Sequence, residues 1–321
     1  MKIGHFMGGA QGRFAVRTPA PGQPLKSANT NTRMESTSTQ QPRSLGCLDI
    51  WGGIGKGYEA ATVPGLNVYL WSKPAHESNL GGDIHLVSVC SCEQISRFIL
   101  ADVAGHGASA SQVAGRLRHL MRRHINKPDQ TRLASAVNKE FTQIARQGRF
   151  ATVILGTFVP TEQTLTVCNA GQPTPLYYSA SAKTWEFVAN RAVGTSADPS
   201  NVPWGIQHPV DYSQFDLPLH DGDVVLLFSD ALVEARSPFG SMLEYEGLID
   251  LVRTLDWVRP AEALWELLRR LDVFAGAAPL RDDQTILVLH NTGGKLHPPS
   301  LARRLRMLAR RFGLIRSEFR I

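Results

Sequence analysis

The chain lacks the patterns that mark disulfide-rich, zinc-binding and membrane-spanning proteins. Its 321 residues include four cysteines. None of them forms a CxxC pair and no histidine cluster accompanies them, which argues against a zinc site and a disulfide framework. No run of about 18 uninterrupted apolar residues occurs, so a membrane-spanning helix is not predicted. The first residues hold no long apolar segment, so no signal peptide is indicated and we expect a cytoplasmic protein.

Acidic residues are scarce at both ends of the chain. Residues 1–46 hold six basic residues and one acidic residue, and residues 295–321 hold eight basic and one acidic. Residues 47–294 hold 20 basic and 26 acidic residues, so the overall net charge of +6 hides an acidic middle. A protein that binds nucleic acid through its fold carries positive charge on that fold. We therefore expect no nucleic-acid partner.

Composition divides the chain into three parts. Residues 1–46 are rich in Gly, Pro, Ser, Thr and Gln, which predicts a disordered N-terminal segment. Residues 47–292 predict the compact domain. Residues 293–321 predict a basic amphipathic C-terminal tail with one apolar stripe among its arginines. Two interpretations of the tail stay open: docking on the acidic core of its own chain, or attachment to an anionic surface at the inner membrane face or to an acidic partner.

Predicted hairpins and helices are grouped in blocks within the compact domain. Residues 84–90 and 97–103 predict one β-hairpin, and residues 152–159 and 164–169 predict another. Helices are predicted over 108–125, 133–146, 246–254 and 260–274. This grouping favours an α+β layered fold over alternating β-α-β units.

Aspartates recur where predicted strands begin or end. They are Asp83, Asp102, Asp230, Asp282 and Asp283. Taken alone, each is most simply a turn residue whose side chain caps nearby backbone N–H groups. If the strands belong to one pair of sheets, however, the carboxylates crowd at one end and repel one another unless cations neutralise them. Oxygen ligands without cysteine or clustered histidine favour Mg²⁺ or Mn²⁺, and such ions support phosphate-ester hydrolysis by a metal-activated water.

Five motifs in order resemble those of the SpoIIE/RsbU-like serine phosphatases, which belong to the PP2C (PPM) superfamily. They are Gly81-Gly82-Asp83, Asp102-Val103-Ala104-Gly105-His106-Gly107, Asn169-Ala170-Gly171, the run from Gly222-Asp223 to Ser229-Asp230-Ala231-Leu232-Val233-Glu234-Ala235, and Asp282-Asp283-Gln284-Thr285. The resemblance covers about residues 50–290. It implies an α-β-β-α sandwich of two antiparallel sheets flanked by helices.

The resemblance also implies a site with two Mn²⁺ or Mg²⁺ ions. Asp83, Asp102, Asp230 and Asp282 would bind metal, with Asp102 as the bridge, Val103 contributing its backbone carbonyl and Asp283 as a further candidate. The implied substrates are phosphoserine or phosphothreonine proteins in bacterial signalling, typically STAS-type anti-anti-sigma regulators. For His106 two roles are open: protonating the leaving serine oxygen, or orienting the start of the helix.

Two positions depart from the family pattern. The usual Thr-Asp-Gly is Ser229-Asp230-Ala231, and Ala231 disfavours a positive φ. The usual Asn-Ala-Gly-His ends in Gln172, which cannot titrate. These changes motivate an alternative, a catalytically weak phosphatase fold that acts as a binding or regulatory module. A glycine-rich stretch over residues 52–57 lacks the spacing of a P-loop and is interpreted as a flexible turn.

Overall fold

The computed structural model describes most of the predicted compact domain. The described residues are 42–46, 49–54, 56–75, 81–89, 95–105, 108–125, 127, 129–145, 148–188, 201–276 and 280–294. His106 and nearly all of the predicted N-terminal segment and C-terminal tail lie outside them. In the described part of the chain, no helix is both long and apolar enough to cross a membrane.

Helices and strands follow one another largely as the sequence pattern predicts. The strands are β1 (Arg43–Ser44), β2 (Ile50–Gly53), β3 (Gly57–Val63), β4 (Leu66–Lys73), β5 (Asp83–Val89), β6 (Ser96–Val103), β7 (Ala151–Val159), β8 (Thr164–Ala170), β9 (Leu176–Ser179), β10 (Thr184–Phe187), β11 (Phe215–Pro218), β12 (Val224–Phe228) and β13 (Gln284–Asn291). The helices are α1 (Ala108–His124), α2 (Gln130–Ile144), α3 (Glu244–Arg253) and α4 (Pro260–Ala275).

The strands form two sheets. One sheet has the order β1-β3-β4-β13-β12-β9-β10, and the other has the order β11-β8-β7-β6-β5-β2. The pairings are antiparallel except for β1 with β3, which run parallel. Both predicted hairpins are present, as β5–β6 and β7–β8.

Three apolar layers hold the sandwich together. In β6, Phe98 and Leu100 belong to a cluster between the two sheets, whereas Ile99 and Ala101 belong to a second cluster beneath α1 and α2. The opposite face of the other sheet forms a third cluster with α3 and α4, which includes Val288 of β13. Because the central strands are buried on both faces, their sequences read as nearly continuous apolar runs. The predicted α-β-β-α sandwich is confirmed.

Two differences from the predicted elements concern the start of the fold. β1 lies inside the segment predicted to be disordered, and the next residue, Leu45, is 1% exposed, so burial extends the folded part to about residue 43. The glycine-rich stretch predicted to be a turn instead contributes Gly52 and Gly53 to β2 and Gly57 to β3. Backbone pairing with neighbouring strands outweighs the low strand propensity of glycine at these positions.

Candidate metal centre

The alternation of side chains in β5 and β6 places two aspartates between the sheets. In β5, Val87 faces the space between the sheets, and Asp83 lies on the same face at an even spacing. In β6, Leu100 faces that space, and Asp102 follows two residues later. Asp83 and Asp102 are directly opposed cross-strand partners. Two carboxyl groups therefore meet at one end of the sandwich.

The facing sheet brings its own polar residues to the same end. β12 ends at Phe228 and is followed by Ser229 and a short 3₁₀ helix that begins with Asp230. The Ser229 hydroxyl donates to the carbonyl of Asp283 at 3.2 Å and accepts from the backbone N–H of Thr285 at 2.9 Å. These hydrogen bonds tie the end of β12 to the start of β13. They hold Asp230 and the Asp282–Asp283 pair side by side.

Asp83 is a buried carboxyl group without a matching donor. Its side chain is 3% exposed, and neither of its oxygens meets a hydrogen-bond donor in the described part of the chain. Burial raises the pKa of Asp83 well above its ordinary value, and the neighbouring Asp102 raises it further; the nearby hydroxyls of Thr285 and Ser229 offset only part of this. A buried carboxylate of this kind needs a cation or a proton.

Asp102 lies in the electrostatic field of acids from both sheets. Burial raises its pKa to about 7, with further contributions from Asp230, Asp282 and Asp283. The pKa of Asp230 is raised as well, by burial first and then by Glu234. The predicted crowding of the carboxylates is thus present, and it is made by two sheets that face each other.

The Asp283 side chain binds the backbone of the segment that precedes β5. One of its carboxylate oxygens accepts the backbone N–H of Ala75 at 2.8 Å, and the other accepts the backbone N–H of Gly82. A Cβ at Gly81 would lie 2.3 Å from an oxygen of Asp283. A Cβ at Gly82 would lie 3.2 Å from both the Asp102 carboxylate and the Val103 carbonyl. The two glycines therefore let the backbone approach the carboxylates, and Asp283 fixes that approach.

The site residues lie near one another, but their side chains do not converge tightly on one point. Among the described residues, no three acidic, histidine or cysteine side chains converge tightly enough to hold a metal ion. The Asp102 carboxylate and the Val103 carbonyl both face Gly82, and Asp83 lies opposite Asp102. The donors are all oxygen atoms, which suits a hard divalent cation. The buried, unmatched oxygens of Asp83 fit such an ion.

Neither departure from the family pattern distorts this arrangement. Ala231 lies in the 3₁₀ helix, and its φ is not positive, so its Cβ causes no backbone strain there. Gln172 belongs to a tight turn in which its N–H donates to the Asn169 side chain at 2.9 Å. Its side-chain amide donates to the Thr152 hydroxyl at 3.0 Å.

A pair of hydroxyl groups behind the acids was missed by the sequence analysis. The hydroxyls of Ser72 and Thr285 share a buried hydrogen bond of 3.0 Å that links β4 to β13. The signal was present in the alternation of β4, where Leu70 faces the space between the sheets and Ser72 follows on the same face. A single serine at the end of a strand pattern does not reveal its partner.

The family of the chain is identified by comparison with known proteins. The family model for stage II sporulation protein E (SpoIIE) matches residues 94–292, which is more than half of the chain. The phosphoserine phosphatase RsbU of Bacillus subtilis (strain 168) is 25% identical over 196 residues, which cover 59% of this chain and 54% of RsbU. The chain thus spans about half of the length of that relative.

Solved structures share the fold at low sequence identity. The RsbU and RsbW domains of a Mycobacterium tuberculosis protein superpose with a TM-score of 0.59 at 22% identity, covering 78% of this chain and 69% of that one. The PP2C phosphatase domain of Bacillus subtilis SpoIIE, with part of its regulatory domain, gives 0.54 at 18%, covering 70% and 63%. RsbX in complex with magnesium gives 0.51 at 13%, covering 73% and 100%. The chain therefore belongs to the SpoIIE family and has the fold of the PP2C-type phosphatases.

Proposed function

We propose that this protein is a metal-dependent protein serine/threonine phosphatase. The observation that supports this most directly is the buried pair of Asp83 and Asp102, set among acids from both sheets of a PP2C-type fold. Carboxyl groups with raised pKa values, clustered at one end of a fold, lower its stability, so stability does not account for their presence. They are explained if the site binds cations.

Mn²⁺ or Mg²⁺ would be held by oxygen ligands from both sheets. The proposed ligands are Asp83, Asp102, the Val103 carbonyl, Asp230 and Asp282, with Asp102 shared between two ions. The magnesium in the RsbX structure, which has the same fold, supports this choice. Bound there, the ions would activate water and neutralise charge on the phosphoryl oxygens.

The chain's own residues supply positioning. Asp283 uses both oxygens to bind backbone N–H groups, so we assign it to holding Gly82 rather than to direct coordination of metal. Ser229 fixes the spacing between Asp230 and the start of β13 through its two hydrogen bonds. Protonation of the leaving serine oxygen is proposed for His106, which lies outside the described residues, with orientation of the helix start as its other role.

The substrates proposed are phosphoserine or phosphothreonine proteins in bacterial signalling. The similarity to RsbU, a phosphoserine phosphatase, supports the class of substrate. A small STAS-type regulator is the proposed member of that class. Residues 293–321, with their basic stripe, are proposed to contact either the acidic core or an anionic surface.

Hydrolysis of p-nitrophenyl phosphate tests the proposed function. We expect activity that depends on Mn²⁺ or Mg²⁺ and is lost in Asp102→Asn and in Asp230→Asn. The matched control is Asp250→Asn, because Asp250 is an exposed acid on α3 whose ion pair with Arg253 lies within the same helix. Wild-type activity in Asp102→Asn would refute the site assignment.

The alternative function, a binding module without catalysis, makes a different prediction. It requires a fold that does not take up metal, so calorimetric titration with Mn²⁺ separates the two. Binding in the wild-type protein that is lost in Asp102→Asn supports the phosphatase. Absence of binding at millimolar Mn²⁺ would favour the module.

A further inference from the structure

A small polar cleft lies beside the acidic cluster, and no part of the proposed reaction uses it. Its volume is about 240 Å³, and it is bordered by β2, β3, β4, β5 and α1. The polar side chains that line it are Lys56, Glu59, Ser72, His85 and Arg118. It is formed by the glycine-rich stretch that the sequence analysis interpreted as a turn.

Two cations face this cleft. Lys56 is exposed and Arg118 is half-buried on α1. No ion pair joins Arg118 to an acid within the described ranges. The positive charge of Arg118 lowers the pKa of Arg122 in addition to the effect of burial. The one acid in the lining, Glu59, accepts the indole N–H of Trp51 at 2.5 Å. The cleft therefore offers positive charge that protein carboxylates only partly balance.

A buried ring nitrogen also lacks a partner in the cleft wall. His85 is 4% exposed, and its Nδ1 has no hydrogen-bond partner within the described residues. Leaving a buried polar group unpaired costs about 1–3 kcal/mol. This nitrogen is closed off from the cleft, so the donors for a ligand are taken from Lys56 and Arg118.

Two glycines shape the cleft. Gly52 lets the strands at its base lie close together, and Gly53 leaves room for the Arg118 guanidinium. Gly52 has a φ of 110°, and a Cβ there would lie 2.3 Å from the His85 carbonyl oxygen, so only glycine lets β2 approach β5 this closely. A Cβ at Gly53 would lie 3.2 Å from Nη1 of Arg118. A side chain at that position would crowd the guanidinium and push it slightly aside.

The cleft and the acidic cluster share a wall. Ser72 lines the cleft and shares a hydrogen bond of 3.0 Å with Thr285, whose hydroxyl lies near Asp83. His85 and Asp83 lie two residues apart on the same face of β5. The cationic cleft and the acidic cluster are thus adjacent, but different charged side chains form them.

We propose that this cleft binds a phosphate group, with Arg118 and Lys56 as its donors. The polar lining excludes an apolar ligand, and the small volume fits a tetrahedral oxyanion. The forked guanidinium of arginine suits phosphate oxygens, and lysine adds a point charge. Two sources share this chemistry: free inorganic phosphate and the phosphoryl group of a phosphoprotein. The inference goes beyond the proposed function, and it can be tested without catalysis.

Calorimetric titration of the full chain with inorganic phosphate tests the site. A chelator is present throughout, so that the acidic cluster cannot recruit phosphate through metal. We expect one saturable site in the wild-type protein and affinity about tenfold weaker or worse in Arg118→Gln, as expected for losing a charged hydrogen bond. Arg116→Gln is the matched control, because Arg116 is exposed on the same helix and does not line the cleft.

Further variants guard against misfolding and identify the source of the phosphate. Arg118→Lys keeps the charge, so it should retain more affinity than Arg118→Gln at equal thermal stability. A phosphoserine peptide titrated in parallel should bind more tightly than inorganic phosphate if the cleft serves the phosphoprotein, and more weakly if it serves the free ion. Absence of saturable binding of either ligand, or equal affinity in Arg118→Gln and Arg116→Gln, would overturn the proposal.

Discussion

Asp102 illustrates how one residue can be unfavourable for the fold and necessary for the site. It faces Asp83 directly across β5 and β6, and like charges in opposed positions destabilise a sheet. Burial in the sandwich, with smaller contributions from the charges of Asp230, Asp282 and Asp283, raises the pKa of Asp102 to about 7. Without a cation, ionising this carboxyl weakens the folded state. The same repulsion would become binding energy for the proposed divalent ion, which would neutralise it.

Asp102→Asn should therefore stabilise the metal-free protein. The amide cannot ionise, so repulsion with Asp83 and Asp230 is removed. We expect the free energy of unfolding at pH 8 in the presence of a chelator to rise by on the order of 1 kcal/mol or more. Urea denaturation followed by circular dichroism measures the change.

Asp250→Asn is again the control, with an expected change within about 0.5 kcal/mol because it is an exposed residue away from the cluster. A metal-free Asp102→Asn protein that is less stable than wild type at pH 8 would contradict the repulsion argument.

At the scale of single elements, α2 depends on a cap that precedes it. Asp129 accepts the backbone N–H groups of Thr131 and Arg132 at 2.9 and 3.1 Å, which satisfies two donors at the start of the helix. The helix then buries Leu133, Val137 and other residues against the sheet of β5 and β6. The cap thereby helps to hold the helical layer on the outer face of the sheet that carries Asp83 and Asp102.

Removal of this cap in Asp129→Ala should cost about 1 kcal/mol of stability, as N-cap deletions typically do. Hydrogen bonds from the Thr131 side chain and the backbone N–H of Arg132 are the main causes that lower the pKa of Asp129. The stabilisation is therefore present above the unfolded pKa and is lost as the pH falls through the folded pKa.

Urea denaturation of the variant at neutral and at acidic pH checks both statements. Asp250→Ala, which removes an exposed acid from the interior of α3, serves as the control. A destabilisation of Asp129→Ala that is as large at low pH as at neutral pH would show that the carboxylate is not the active form of the cap.

At the scale of the whole molecule, the acidic cluster makes stability depend on pH and metal together. The pKa of Asp102 rises from an ordinary value of 3.8 to about 7 on folding. Between those values the folded carboxyl holds a proton that the unfolded chain has released. The free energy of unfolding of the metal-free protein should therefore fall as pH rises from about 4 to about 7, in total by on the order of a few kcal/mol.

Divalent metal should reverse this trend. In the proposed site Mn²⁺ would bind the ionised carboxylates, so its stabilising effect should grow with pH and be small near pH 5. Denaturation curves at pH 5, 6, 7 and 8, with chelator and with Mn²⁺, measure both effects, and Asp102→Asn should flatten the metal-free profile. A metal-free protein whose stability rises steadily from pH 5 to pH 8 would refute this account.

Much of the fold follows from local pattern. The apolar runs of β6 and β7 and the helical stripes of α1 and α4 predicted their elements to within a few residues. The motifs around Asp83 and Asp102 predicted the family, which the SpoIIE match confirms. β1 and β3 were missed because a two-residue strand and a run that begins with glycine carry little periodic signal.

The sequence by itself determined that aspartates lie at the ends of strands and that their oxygen atoms favour Mg²⁺ or Mn²⁺. Only the tertiary structure decided how they meet: Asp83 and Asp102 come from one sheet, whereas Asp230 follows β12 and Asp282 precedes β13 in the other. It also gave Asp283 its two backbone partners and turned Gly52 and Gly53 into the wall of a cationic cleft. The physical reason is that carboxylate pKa values and cleft walls depend on burial and on contacts between segments far apart in the chain, such as Gly82 and Asp283 at a separation of 201. Such contacts leave no periodic trace in the chain.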